Sequence, residues 1–329
     1  MKEYALNYYP SFRCIAGDCK HTCCAGWDMY IDGQTLNAYK HENSCFGKAL
    51  KKGIHFKKGK FKADKAGRCV FLNEKGLCEI ILRLGEDRLC EVCKKHPRFI
   101  NRLPNGVETG LDFCCEQATK IILSQKERIE RVEVGQNSAP EQAPDFLQEQ
   151  VLTFRETALK TLQDRSVPLA LRVQNLLSLC KASVKGEDFP QVVKAFLRLE
   201  RLDKAWGNRL SALKKKRSSA ENNPTQPLEF SLGQGQEDSL YGEQFLCNQL
   251  YRHLSDAEDT LWVRARTVAC VLAWWVITAV WETERKEGDT PQTEFDTLCD
   301  IVRAYSADVE YSQKNLTKLF GFARAFINL

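Results

Sequence analysis

Apolar residues recur along this chain in two rhythms, and the change between them falls near residue 116. Beyond that point the period is helical. Phe146, Leu147, Val151, Phe154, Ala158 and Leu162 predict a helix over 146–162, and the same spacing continues over 169–184 and 189–213. Asp188 is expected to cap the last of these, with Pro190 tolerated in its first turn. Further helices are predicted near 240–254, 259–285, 293–305 and 313–327. The apolar run from Thr267 to Trp281 is shorter than the ~20 residues a bilayer helix needs, and Arg264 and Arg266 precede it. It reads as a buried core helix, with no membrane insertion expected. A polar stretch near 214–238, carrying Pro224, Pro227, Gly233 and Gly235, has the composition of a mobile loop.

Before residue 116 glycines interrupt the chain and no long helical period survives. Trp27, Met29 and Ile31 alternate with Asp28, Tyr30 and Asp32 in the manner of a strand, and Asp32 then has the place of an N-cap for a helix through Tyr39. The expected fold is therefore mainly α. An irregular cysteine-rich metal-binding region with short strands (1–118) precedes an all-helical region (119–329).

A hydrophobic content of 43% with 10% aromatic residues excludes disorder of the whole. The net charge of +5 is modest but unevenly placed: residues 1–120 hold 21 Lys and Arg against 14 Asp and Glu. Lys48 to Lys65 contains eight lysines and one acid, Asp64. That stretch is either a solvated basic loop or a docking surface for an acidic partner. Nucleic acid is not expected, because no helix-turn-helix, RNP or finger pattern accompanies the charge.

Cysteine changes the picture most. Eleven of the fifteen lie within the first 115 residues. The first ten residues show no apolar signal-peptide core, so a reducing, cytoplasmic setting is expected, where clustered cysteines hold metal or do redox chemistry. The spacings are Cys14-x4-Cys19-x3-Cys23-Cys24, Cys69-x8-Cys78, Cys90-x2-Cys93 and Cys114-Cys115. One tetrahedral zinc, or one cubane cluster, takes four thiolates. The surplus means two centres, outer thiols or buried bystanders. Arg68, Lys94, Lys95, His96 and Arg98 place positive charge beside thiolates and would offset theirs. His96 is either a ligand or an outer group. Cys45 reads as a bystander, and Cys180, Cys247, Cys270 and Cys299, single on helices, as small buried apolar residues.

The order Cys14, Cys19, Cys23-Cys24, Trp27, Asp32, then Cys69-Val70-Phe71-Leu72, Gly76-Leu77-Cys78-Glu79-Ile80, Leu84-Gly85-Glu86 and Cys93-x2-His96-Pro97-Arg98, resembles the flagellin lysine N-methylase family. It is also similar to the wider group of zinc- or iron-chelating proteins. The likeness is best over about residues 10 to 118. It implies a cytoplasmic bacterial enzyme that methylates flagellin lysines from S-adenosylmethionine and carries a cysteine-bound iron–sulfur (4Fe–4S) cluster, with zinc as the alternative. Carried over by position, it points to Cys14, Cys19, Cys23, Cys24, Cys69, Cys78, Cys93 and Cys114 as ligands. The chain departs from the family pattern at His96, where an aromatic is frequent, and at Cys115, where a proline is expected.

Methyl transfer to lysine is an in-line displacement at a sulfonium carbon, so the amine must be aligned and lose a proton while water is kept out. Asp28, Tyr30 and Asp32 are the candidate catalytic groups, set against a plain capping role for Asp32 and solvation of Asp28. Trp27 and Arg98 are the candidate cofactor contacts, with core packing the plainer role for Trp27. No Gly-x-Gly-x-x-Gly turn follows a strand, so a Rossmann-type methyltransferase is not expected. Cys19-x3-Cys23 begins a radical C-x3-C-x2-C loop, but its third position is Gly26. A non-enzymatic zinc- or iron-binding adaptor is the alternative function.

Overall fold

A computed structural model describes residues 1–140, 142–219 and 236–328. Most of the loop expected near 214–238 lies outside them. The chain is mainly α, with short strands toward its N-terminal side, as the sequence predicts. The strands are β1 (Lys2–Leu6), β2 (Ile54–His55), β3 (Lys60–Phe61), β4 (Arg98–Leu103), β5 (Gly106–Leu111) and β6 (Arg131–Gln136). The shorter helices are α1 (Gly33–Lys40), α2 (Gly47–Lys52), α3 (Glu79–Leu84), α4 (Glu91–Lys95) and α5 (Glu116–Leu123). The longer ones are α6 (Phe146–Leu162), α7 (Leu169–Leu179), α8 (Phe189–Leu197), α9 (Lys204–Ser219), α10 (Gln236–Leu254), α11 (Thr260–Glu284), α12 (Pro291–Tyr305) and α13 (Gln313–Ala323).

By contact the chain forms two compact units. One comprises 1–12, 100–114 and 118–329; the other comprises 13–99 and 115–117. In the first, β4-β5-β1-β6 make one sheet, β1 running parallel to β5 and antiparallel to β6. Strand β6 stands within the region read as all-helical. It is an edge strand with Val132 and Val134 exposed, so no buried alternation marks it in the sequence. Glu108 of β5 is fully buried and takes a bidentate pair from Arg155 of α6, at 2.9 and 3.0 Å. The centre of this unit is α11, whose residues 267–281 are all buried. By length and composition it could cross a bilayer, but 89% of its apolar window is buried inside the protein. Trp274 and Trp275 pack against Phe245 and Phe189, with ring centroids 5.0 and 4.6 Å apart.

Two expected helix boundaries move, for reasons outside local periodicity. The stretch 189–213 is broken between α8 and α9. There Asp308 accepts the N–H groups of Leu202 and Asp203, and Asn315 accepts that of Glu200. These captures come from more than a hundred residues away and turn a continuous helical pattern into two helices. Helix α7 ends at Leu179 because Lys181 adopts φ 53°, a left-handed conformation that closes the helix before Val184. Asp188 precedes α8, but its carboxylate accepts the N–H of Lys185 instead of capping the helix.

Candidate metal centre

The second unit joins short helices by turns, and several of these turns lead into a cysteine. The N–H of Cys69 donates to the carbonyl of Cys24 at 2.7 Å, which ties the first cysteine group to the second. Asp64 holds the preceding turn by accepting the N–H groups of Ala66 and Arg68. Asn73 holds the next by accepting those of Lys75 and Leu77, around Gly76 at φ 71°. The chain thus folds back so that Leu72 bridges to Cys78. Cys78 stands at the start of α3 and Cys90 at the start of α4, one turn before Cys93. Tyr39, buried on α1, donates its hydroxyl to the carbonyl of Arg88 at 2.5 Å and fixes the approach to Cys90.

The result is a shared core. Cys69 (7% exposed) and Cys90 (0%) lie among Met29, Ile31, Tyr39, Leu50, Ile54, Phe61, Phe71 and Ile80, with Cys24, Cys78 and Cys93 packed against them. Burial pushes the Cys69 thiol up to about 12, reinforced by its neighbours Cys24, Cys78 and Cys90. Burial likewise raises Cys78. Cys93 donates to Cys90, which raises Cys93 and lowers Cys90. Cys23 donates to Cys24 in the same way, raising Cys23 and bringing Cys24 down to about 7. One cysteine pair inside a poorly solvated core, and a second at its edge with one exposed member, are donors of the kind that a thiophilic cation satisfies.

A second group surrounds Cys23, whose thiol feels those of Cys115 and Cys14. Cys19 is pushed up to about 11 by burial and by Glu116, whose carboxylate it meets at 3.7 Å. Of the eight expected ligands, Cys24, Cys69, Cys78 and Cys93 therefore share the core. Cys14, Cys19 and Cys23 gather outside it, and Cys114 belongs to the other unit. The expected set leaves out Cys90 and Cys115, although the Cys90-x2-Cys93 spacing was a readable signal. No disulfide joins any of the fifteen cysteines. Among the described residues, no three His, Cys, Asp or Glu side chains close on a common point as an ion requires. The donors fit in kind and in neighbourhood, and they stand as pairs.

The candidate catalytic residues are spread. The alternation over 27–32 holds for burial, with Met29 and Ile31 inside, but the segment makes a single bridge, Tyr30 to Lys60, instead of a strand. Tyr30 is 59% exposed. Asp28 pairs with Lys60 at 2.7 Å. Asp32 caps α1 through Thr35 and also accepts the N–H of Glu91 at 3.0 Å. Partial burial works against its charge, but these donors hold its pKa below the usual value. Trp27 donates to the carbonyl of Cys23 at 2.8 Å and lies 6.3 Å from the His96 ring, beside the cis His96–Pro97 bond. Arg98 donates to the carbonyls of Lys94 and His96.

The helical unit carries a polar centre that periodicity does not reveal. Between α12 and α13 one π-turn, Ser306–Glu310, buries Glu310 against Arg252 (3.1 Å), Gln249 (2.5 Å), His253 (3.2 Å) and Ser306. Such turns are frequent at functional sites. Burial alone would raise Glu310, but Arg252, His253 and Ser306 outweigh it and hold its carboxyl at about 2. Arg252 also meets Asp112 at 2.5 Å, and Asp112 accepts from Tyr311 at 3.2 Å. Burial raises Asp112 to about 6. Cys114 neighbours Tyr311 in this centre. A separate groove of about 490 Å³, lined by Phe146, Phe154, Leu179, Val263, Glu149 and Arg264, contains no cysteine.

No family model and no solved structure matches the chain. Three curated proteins do, each 28% identical over 137 residues, or 38% of this chain. Two are named lysine-N-methylase, from Salmonella typhimurium strain LT2 and Salmonella choleraesuis strain SC-B67. The third is the flagellar biosynthetic protein FliU of Salmonella muenchen. The match spans 34% of the length of the two methylases and 80% of FliU. Together with the motif order from Cys14 to Arg98, these likenesses relate the chain to the flagellin lysine N-methylase family.

Proposed function

We propose that this protein is a cytoplasmic protein-lysine N-methyltransferase that takes methyl groups from S-adenosylmethionine and places them on flagellin. The observation that carries the reading is the likeness to lysine-N-methylases in a chain five of whose thiols share one small core. Four of Cys24, Cys69, Cys78, Cys90 and Cys93 would hold a thiolate centre, a 4Fe–4S cluster in this reading, with the fifth beside it. Such a centre would supply positive charge to a thiol core and, if exposed to solvent, electron transfer.

In the transfer, the lysine nitrogen lone pair attacks the sulfonium methyl, the methyl–sulfur bond breaks, and S-adenosylhomocysteine leaves with both electrons of that bond. The ammonium must first give up one proton. Tyr30, the exposed polar group beside the core, would hold the amine. Asp28, paired with Lys60, would lie beside it, and Asp32 would act by fixing the turn that carries both. Trp27 and Arg98 would flank the donor.

The burial of Cys69 and Cys90 also suits a closed, structural metal, which favours the zinc-binding adaptor as second reading. One preparation separates the two. Anaerobically purified protein is expected to be brown, with iron and sulfide in equal amounts, and to add mass to flagellin in steps of one methyl when given S-adenosylmethionine. Colourless protein with stoichiometric zinc and no mass gain favours the adaptor.

A further inference from the structure

The stretch Lys48 to Lys65 folds as α2 followed by the β2–β3 hairpin, and its underside is anchored. Leu50, Ile54 and Phe61 are buried in the thiol core, and a side chain at Gly53 would run into Phe71 at 2.2 Å. Backbone bonds stitch the hairpin to its surroundings. Phe61 donates to Met29, Ile31 to Gly59, Lys62 to Gly53 and Val70 to Lys62, at 2.7–3.1 Å. The surface it carries is therefore held in place before any partner arrives, which lowers the ordering cost of binding.

That surface is basic and not neutralised from within. Lys48, Lys52, Lys57, Lys58 and Lys65 are exposed, and among the eight lysines only Lys60 makes an ion pair among the described residues, with Asp28. Asp64, the one acid of the stretch, spends its carboxylate on the N–H groups of Ala66 and Arg68. Glu42 nearby in sequence is taken by Arg88 at 2.7 Å. Lysine ammoniums are point charges without the fork that grips one phosphate, and they favour a diffuse anionic face. Single-stranded nucleic acid would call for aromatic platforms between the charges. Here Phe61 is buried and Phe56 packs against the core, so the aromatics of the hairpin are turned away from the lysines.

We propose that the α2 and β2–β3 surface docks an acidic segment of the polypeptide whose lysines are modified. The inference rests on the methyltransferase reading for the identity of that polypeptide, but its binding chemistry can be read without a methyl donor. The test uses the full chain and poly-L-glutamate as probe. Wild type is expected to bind it, with affinity falling steeply as salt rises. The combined change Lys52→Glu, Lys57→Glu, Lys58→Glu and Lys65→Glu should weaken binding about tenfold or more at low salt. The matching four-glutamine variant should fall between the two. With flagellin and S-adenosylmethionine, the glutamate variant should raise KM and leave kcat unchanged. Equal poly-L-glutamate binding by wild type and a folded glutamate variant overturns the proposal, as does tighter binding of poly-uridylate of matched charge. Absence of methyl transfer from wild type, with charge-dependent binding intact, removes the methyltransferase reading and leaves the surface standing.

Discussion

The two units solve the same problem with opposite means. The helical unit packs six helices against a tryptophan-rich helix, α11, among the described residues. The thiol unit has no helix longer than α1 wholly within it, and its paired strands β2 and β3 are two residues each. Its turns are shaped by Asp64 and Asn73, and its apolar cluster is small and shared with cysteines. A unit this poor in regular structure gains little from helix cooperativity, so any cross-link at its centre would weigh more. Each unit is vulnerable accordingly: the first to lost packing and buried charge, the second to lost donors.

On the proposed metal-bound reading, removing metal with a chelator, or substituting Cys69→Ser, should unfold the thiol unit, because a thiolate metal site contributes on the order of 10 kcal/mol to the state that binds it. The helical unit should keep its far-ultraviolet helix signal and a separate thermal transition. Metal content together with circular dichroism checks both halves of the statement. A Cys69→Ser protein that unfolds exactly as wild type does, with metal retained, would show that the thiols are bystanders in an ordinary core.

A smaller effect sharpens the other side. Arg155→Met leaves Glu108 buried in the sheet with Asn101 still donating to it and Arg131 at 4.0 Å. Loss of one partner of a buried pair costs about 3–5 kcal/mol, and the low end applies here because these two groups remain. Chemical denaturation should show the loss in the helical transition alone. An equal shift in the thiol unit would mean that the two do not unfold separately.

Legibility in the sequence followed the same divide. Helix α6 occupies 146–162 as its period predicts, and α11 and α12 differ from expectation by a residue or two at their ends, because amphipathic or fully apolar helices write their contacts into local spacing. The break between α8 and α9 was invisible, since Asp308 and Asn315 impose it from far along the chain. In the thiol unit the cysteine spacing announced a gathering of donors, but local pattern does not say which partners meet. Cys90 shares the core through the fold of two turns, while Cys114 and Cys115 fall to different units despite being adjacent. The Glu310 centre left no periodic trace: a π-turn, with its own Ser306, and three donors from α10 assemble it.

That centre gives the smallest effect, and the one with the most specific shape. Glu310 is held at about 2 in the folded protein against an ordinary value near 4.5, so its ionised form is favoured by folding. Its contribution is fully present above pH 4.5, and it is lost as pH falls toward 2. Asp112 has the opposite sign: raised from 3.8 to about 6, it favours folding when protonated, and that contribution fades as pH rises from 3.8 through 6. Each arm is worth on the order of 3 kcal/mol, so the helical transition should be most stable between pH 4 and 5 as far as these two groups decide it. Glu310→Gln should flatten the acid arm and, by removing a charge that helps to raise Asp112, also shrink the upper one. Asp112→Asn should flatten the upper arm, leave the acid arm and raise stability at pH 7, where burying its charge costs most. Denaturation midpoints measured from pH 3 to 7 for the three proteins read out the signs directly, and a Glu310→Gln protein that keeps the full acid arm would assign that arm to other carboxylates.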